Sequence, residues 1–63
     1  MFEVHSTFNN GNVLPISSHH SVDEALRTAA SRMNSKIDTE ECFIKETKVV
    51  LSNQIIFTFY RPT

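Results

Sequence analysis

Hydrophobic and polar positions alternate at the start of the chain. In FEVHSTF, Phe2, Val4, Ser6 and Phe8 share one parity, and Glu3, His5 and Thr7 share the other. A period of two is the pattern of a half-buried strand. NNGN interrupts it and VLPIS follows. A tight Asn10-Gly11 turn would pair Phe8 with Val13 and leave Leu14 and Ile16 on the polar side. A loop of Asn9, Asn10 and Gly11 instead puts Gly11 at the left-handed position of a bulged hairpin. It pairs Phe8 with Asn12, Ser6 with Leu14, His5 with Pro15 and Val4 with Ile16, so the strong hydrophobes share a face. A slip of one residue turns a whole strand over, so burial selects the longer loop.

The period then changes. Val22, Ala25, Leu26, Ala29, Ala30 and Met33 recur at helical spacing along one face. Ser21-x-x-Glu24 reads as a capping box. Asp23 and Glu24 fall in the positive first turn, and Arg32 and Lys36 near the negative end. Asp23 and Arg27 are spaced for an i,i+4 ion pair. Asn34 and Ser35 are the expected stop. Three alanines on the buried stripe predict a helix lying close to its sheet.

CFIKETKVVLSNQIIFTFYRP reads as a second hairpin. A loop of Ser52, Asn53 and Gln54 pairs Leu51 with Ile55, Val49 with Phe57 and Thr47 with Phe59. The inner face is then Phe43, Thr47, Val49, Leu51, Ile55, Phe57 and Phe59. The outer face is Ile44, Glu46, Lys48 and Val50 on one strand and Ile56, Thr58 and Tyr60 on the next, with Val50 opposite Ile56.

The element order ββαββ predicts an α+β fold, one helix packed on a four-stranded mixed sheet. The fourth strand is the most apolar, and buried strands are central. Placing it beside the first gives the order 2-1-4-3 with a right-handed crossover. That layout resembles a minimal β-grasp, the arrangement of ubiquitin-like folds and of small immunoglobulin-binding bacterial domains. The resemblance is one of topology and length and implies no functional residue.

The 63 residues make a single compact domain, residues 1–63. A chain this short buries only about 60% of its unfolded surface and is marginal without added support. Cys42 is the sole cysteine, so no internal disulfide supplies that support; a second chain is the expected source. A lone thiol fits a reducing compartment. The first ten residues lack the basic and apolar regions of a signal peptide, and no apolar run reaches the roughly 18 residues of a membrane span. The expected location is the cytoplasm, or a host cytoplasm if the gene is viral.

Net charge is −1, and the basic residues are scattered. A basic stripe of the kind that drives phosphate binding is not visible. Arg27, Thr28, Ser31, Arg32 and Ser35 could contact phosphates from the polar helix face, but Asp23 and Glu24 on the same helix oppose that. His19 and His20 are neighbours and point to opposite sides of a strand, and His5 lies opposite Pro15, so the histidines do not converge as metal ligands must. Cys42 has no histidine placed to activate it. The acidic stretch DTEE, residues 38–41, reads as a solvated connection. No phosphate loop, carboxylate pair or nucleophile motif is present. These readings predict no catalytic residue, no metal and no cofactor.

One feature points to a partner. The helix covers one sheet face, yet the other face carries apolar side chains. His5, Val13, Ile44, Val50, Ile56 and Tyr60 are the expected binding residues there, and apolar patches with tyrosine mark interaction sites. The expected function is a small non-enzymatic protein-binding module: an inhibitor, adaptor or antitoxin-like regulator of the size that phage and mobile elements encode. It would act as a homodimer through the helix-distal face. Pairing of an edge strand with its twin is a second route to that dimer. The alternative is a nucleic-acid-binding regulator using the polar helix face.

Overall fold

A computed structural model describes residues 1–34 and 41–61. Strands β1 (Phe2–Phe8) and β2 (Val13–His19) precede helix α1 (Val22–Met33), and strands β3 (Ile44–Leu51) and β4 (Gln54–Tyr60) follow. The fold is α+β, with one helix on a four-stranded sheet. The sheet is antiparallel throughout and its order is β2-β1-β3-β4. The expected order 2-1-4-3 is thus corrected: β3 lies beside β1, and β4 forms the edge. The β-grasp likeness goes with it, since no parallel pair sits at the centre.

The alanine stripe explains the exchange. Ala25 and Ala29 are fully buried, and the helix lies chiefly over β1 and β3. A helix this close leaves room beneath it for Val4, Ser6, Thr47 and Val49, which are all fully buried. Of the phenylalanines of β4, Phe59 packs against the side of this core and Phe57 is half exposed. Total apolar content favours a central strand only when both faces are buried, and here only one is covered.

The core is small. Val4, Ala25, Ala29 and Val49 form its centre, with Phe2, Ile16, Leu26 and Phe59 packed around them. Ser6 Oγ and Thr47 Oγ1 are hydrogen-bonded at 2.8 Å inside it, and the Thr47 hydroxyl also lies 3.0 Å from Met33 Sδ. Two buried hydroxyls on adjacent central strands thus satisfy each other.

The first hairpin has the expected loop. Gly11 sits at φ 91, and its N–H donates to the Phe8 carbonyl at 3.0 Å, while the Phe8 N–H donates to Asn12 at 2.8 Å. Ser6 pairs with Leu14 and His5 with Pro15, but Val4 pairs with Ser17 rather than Ile16. A bulge beside Pro15, which has no N–H to give the ladder, shifts the register. Ile16 still reaches the core from the bulge.

The second hairpin differs at its tip. Leu51 pairs with Gln54 across a two-residue turn, with Ser52 at φ 51 and Asn53 at φ 66. Positive φ at both central positions is the type I′ turn, whose twist matches that of its strands. Beyond the tip, Val49 pairs with Phe57, Thr47 with Phe59, Lys48 with Thr58 and Glu46 with Tyr60, as the sequence predicts. A bulge leaving Ile56 unpaired reconciles the shorter turn with that register: Val50 therefore faces Ile55, not Ile56. A left-handed conformation costs a non-glycine residue roughly 1–2 kcal/mol. Replacing Ser52-Asn53 by Asn-Gly should therefore raise stability by about 0.5–1 kcal/mol, read as a higher urea midpoint with an unchanged slope.

Ser21 holds the N-cap position with an extended backbone, but its hydroxyl makes no capping bond, and Asn34 closes the helix. The capping box does not form, and Glu24 lies instead toward His19, with Oε2 3.7 Å from Nδ1. At the sheet's other end, Asn9 ties the first hairpin to the start of β3. Its side chain accepts the Phe43 N–H and donates to the Glu41 carbonyl, both at 3.1 Å.

Candidate functional site

The six residues expected on the helix-distal face do not gather. Ile44 is fully buried. A bulge at Lys45 pairs it with Phe8 instead of leaving it in line with Glu46, so it joins the covered side of the sheet; its place in the binding set is corrected. Val13 is exposed, but on β2 at the far edge. It shares a cross-strand row with Thr7, Glu46 and Tyr60, about 14 Å from Tyr60 at the usual strand spacing. His5 is half-buried and lies 3.4 Å from the Glu3 carboxylate.

The middle of the distal face is therefore polar. Glu3, His5 and Thr7 of β1 lie beside Val50, Lys48 and Glu46 of β3, and Lys48 Nζ is 3.3 Å from Glu46 Oε1. Such a surface is comfortable in water. Four of the exposed large apolar side chains lie on β4, and Val13 and Leu14 are exposed on β2. Ile55 is 57% exposed, Ile56 45%, Phe57 51% and Tyr60 72%. Val50 lies beside them through its pairing with Ile55. The Phe57 and Phe59 rings stack at a tilt, their centroids 4.8 Å apart. Gln54 to Tyr60 contains no charged side chain. Ile55 and Phe57, and Leu14 on β2, are residues that the alternation assigns to the core side, and all three are exposed. For the two on β4 the signal was there in the lack of any charge along QIIFTFY.

Two anchors hold the C-terminal end of β4 to β3. The Arg61 N–H donates to the Lys45 carbonyl at 3.1 Å, and Arg61 Nε donates to the Ile44 carbonyl at 2.8 Å. The guanidinium also lies 5.0 Å above the Phe43 ring, a cation–π distance. The strand that carries the exposed apolar residues is thus fastened at both ends, by the tight turn and by Arg61.

A second feature lies between the helix and β2. A groove of about 580 Å³ is lined by Ile16, Arg27, Thr28, Ser31, Arg32 and Asn34. Arg32 Nε is buried there without a hydrogen-bond partner. The expected Asp23–Arg27 pair is not among the ion pairs of the described residues. Ser35, also named as a phosphate contact, lies outside the described residues, as do three of the four residues of DTEE.

The remaining polar candidates stay apart. His19 Nε2 is 2.8 Å from Ser17 Oγ, and Cys42 is exposed beside Phe8, Asn10, Asn12, Val13 and Leu14. Among the described residues, no three His, Cys, Asp or Glu side chains meet as a metal site would need, and no helix is long and apolar enough to cross a membrane. No family model, no curated protein and no solved structure matches this chain.

Proposed function

We propose that this chain is a small non-enzymatic protein-binding module, working as a homodimer in the manner of an inhibitor, adaptor or antitoxin-like regulator. The docking surface is the β4 flank, made by Val50, Ile55, Ile56, Phe57 and Tyr60, rather than the whole helix-distal face. The observation that carries this reading is an uncharged edge strand with four large apolar side chains about half exposed or more. Water penalises such a strip, and a partner relieves the penalty by roughly 1.5–3 kcal/mol for each side chain fully buried. The lone cysteine and the size suit a cytoplasmic product, of a cell or of a phage or mobile element acting in its host.

A second reading, a nucleic-acid-binding regulator, draws support from the Arg27–Arg32 groove, where neither arginine has a carboxylate partner among the described residues. The net charge of −1 opposes it.

One experiment separates the two. Used as bait in its native cell, the chain should hold a stoichiometric protein partner in about 0.5 M salt, where phosphate-driven binding is orders of magnitude weaker. Ile56→Lys should weaken that capture roughly tenfold or more while the far-UV spectrum keeps its helix signal. Capture that ignores Ile56 would refute the docking reading. Capture of nucleic acid, lost in salt and on Arg27→Ala, would establish the second.

A further inference from the structure

The two margins of the sheet are unlike. β2 is interrupted by Pro15 and by the bulge next to it, both of which discourage a strand from pairing outward. β4 carries no proline and no charge, and its ladder to β3 runs regularly from Phe57 to Tyr60.

The phase of that ladder is fixed. Arg61 donates its N–H to Lys45, and Phe59 opposite Thr47 lies two residues away in the same register. In an antiparallel pair such positions alternate with positions whose backbone groups point away. Thr58 and Tyr60 therefore direct N–H and C=O outward from the sheet.

Resting on the docking reading above, we propose that the occupant of this margin is a second copy of the chain. Its β4 runs antiparallel to the first about a two-fold axis at Thr58, making one eight-stranded sheet. The phase selects this register, because Thr58 then faces Thr58 of the second copy as a hydrogen-bonded pair. Phe57 faces Phe59 of the second copy on the helix side, and Tyr60 lies across from Ile56. These central contacts are apolar or hydroxyl, so the middle of the strand complements itself; one step further out Ile55 falls opposite Arg61 of the second copy, whose guanidinium is seated over Phe43. The nearest like charges, the two Lys48 side chains, lie three strand spacings apart. That is about 14 Å, beyond the screening length of about 8 Å at physiological salt.

Fully covered, the half-exposed side chains of both copies would supply on the order of 1,000 Å²; edge pairing covers only the parts that meet across the seam, chiefly on Phe57 and Ile56, so the outward ladder bonds at Thr58 and Tyr60 fix the pair and the rest of the apolar area stays open. Val50, Ile55 and Tyr60 of the two copies would then form one strip across the joined sheet, on which another protein can dock.

Sedimentation equilibrium and cross-linking test the pairing. The wild-type chain should sediment at twice its 7.2 kDa mass. Thr58→Pro removes only the outward N–H and should give the monomer mass with an unchanged far-UV spectrum. Thr58→Cys in a Cys42→Ser chain should cross-link to itself on oxidation, since a Cα separation of about 5.5 Å suits a disulfide. Val13→Cys in the same background should not. A wild-type chain still monomeric at about 100 μM overturns the pairing, as does a dimer that survives Thr58→Pro and fails to cross-link. If Thr58→Pro loses its fold, the cross-link decides. A monomer that still captures a partner through Ile56 would refute the pairing and leave the docking reading standing.

Discussion

Ile44→Ala should lower the unfolding free energy by about 2–5 kcal/mol, whereas Ile56→Ala in dilute protein should lower it by less than about 1 kcal/mol. The two isoleucines are alike in the sequence, and outward alternation would place both on one surface. The bulge at Lys45 separates them: Ile44 is sealed opposite Phe8, and Ile56 stands in a bulge at the sheet's edge. Truncating Ile44 removes buried methyl groups and leaves a void that the neighbouring backbone can fill only in part. A single core in a chain this small rarely supplies more than about 3–5 kcal/mol. The Ile44 variant should therefore be largely unfolded at 25 °C, a state that circular dichroism and urea titration read directly. Equal losses for the two variants would show that Lys45 does not turn the strand.

Ser6→Ala and Thr47→Val should each cost about 1–3 kcal/mol, because each leaves the other hydroxyl buried with its main partner gone. The double variant should cost less than the sum of the two, with a coupling of at least about 0.5 kcal/mol. The pair joins the two central strands under the helix at 2.8 Å, and both residues are fully buried. Thr47 keeps a weak contact to Met33 Sδ when Ser6 is changed, since a thioether is a poor acceptor, so Ser6→Ala should be the milder single change. Additive costs in urea titrations would mean that the two hydroxyls act independently.

These outcomes turn on details that a sequence expresses unevenly. The first hairpin was readable because glycine states its own conformation: Gly11 admits the left-handed geometry at little cost. Ser52 carries no such mark, so the tight second turn looked like a longer loop. Most of the second hairpin's register came out right even so, since the alternation of Thr47, Val49, Phe57 and Phe59 requires it. Pro15 marks the bulge at Ile16, but the bulges at Lys45 and Ile56 leave no local trace. Each is a one-residue adjustment that lets a strand satisfy its neighbour and the helix together, and each moves a residue of the expected faces. The strand order failed for a different reason. Counting apolar residues on both faces of β4 measures how much that strand could bury, whereas the space under Ala25 and Ala29 decides what fits. The apolar content of β4 was visible throughout; its place at the margin was not, and that place makes it a docking candidate.

Pro15 bears on how far assembly can proceed. A molecule with two receptive margins would add copies head to tail without limit and grow into a fibre. In the proposed pairing β4, the receptive margin among the described residues, would be consumed when two copies join, and the joined sheet would end at both extremities in a β2 that carries a proline and a bulge. The same interruption that costs β2 a ladder bond would then close the assembly at a finite size.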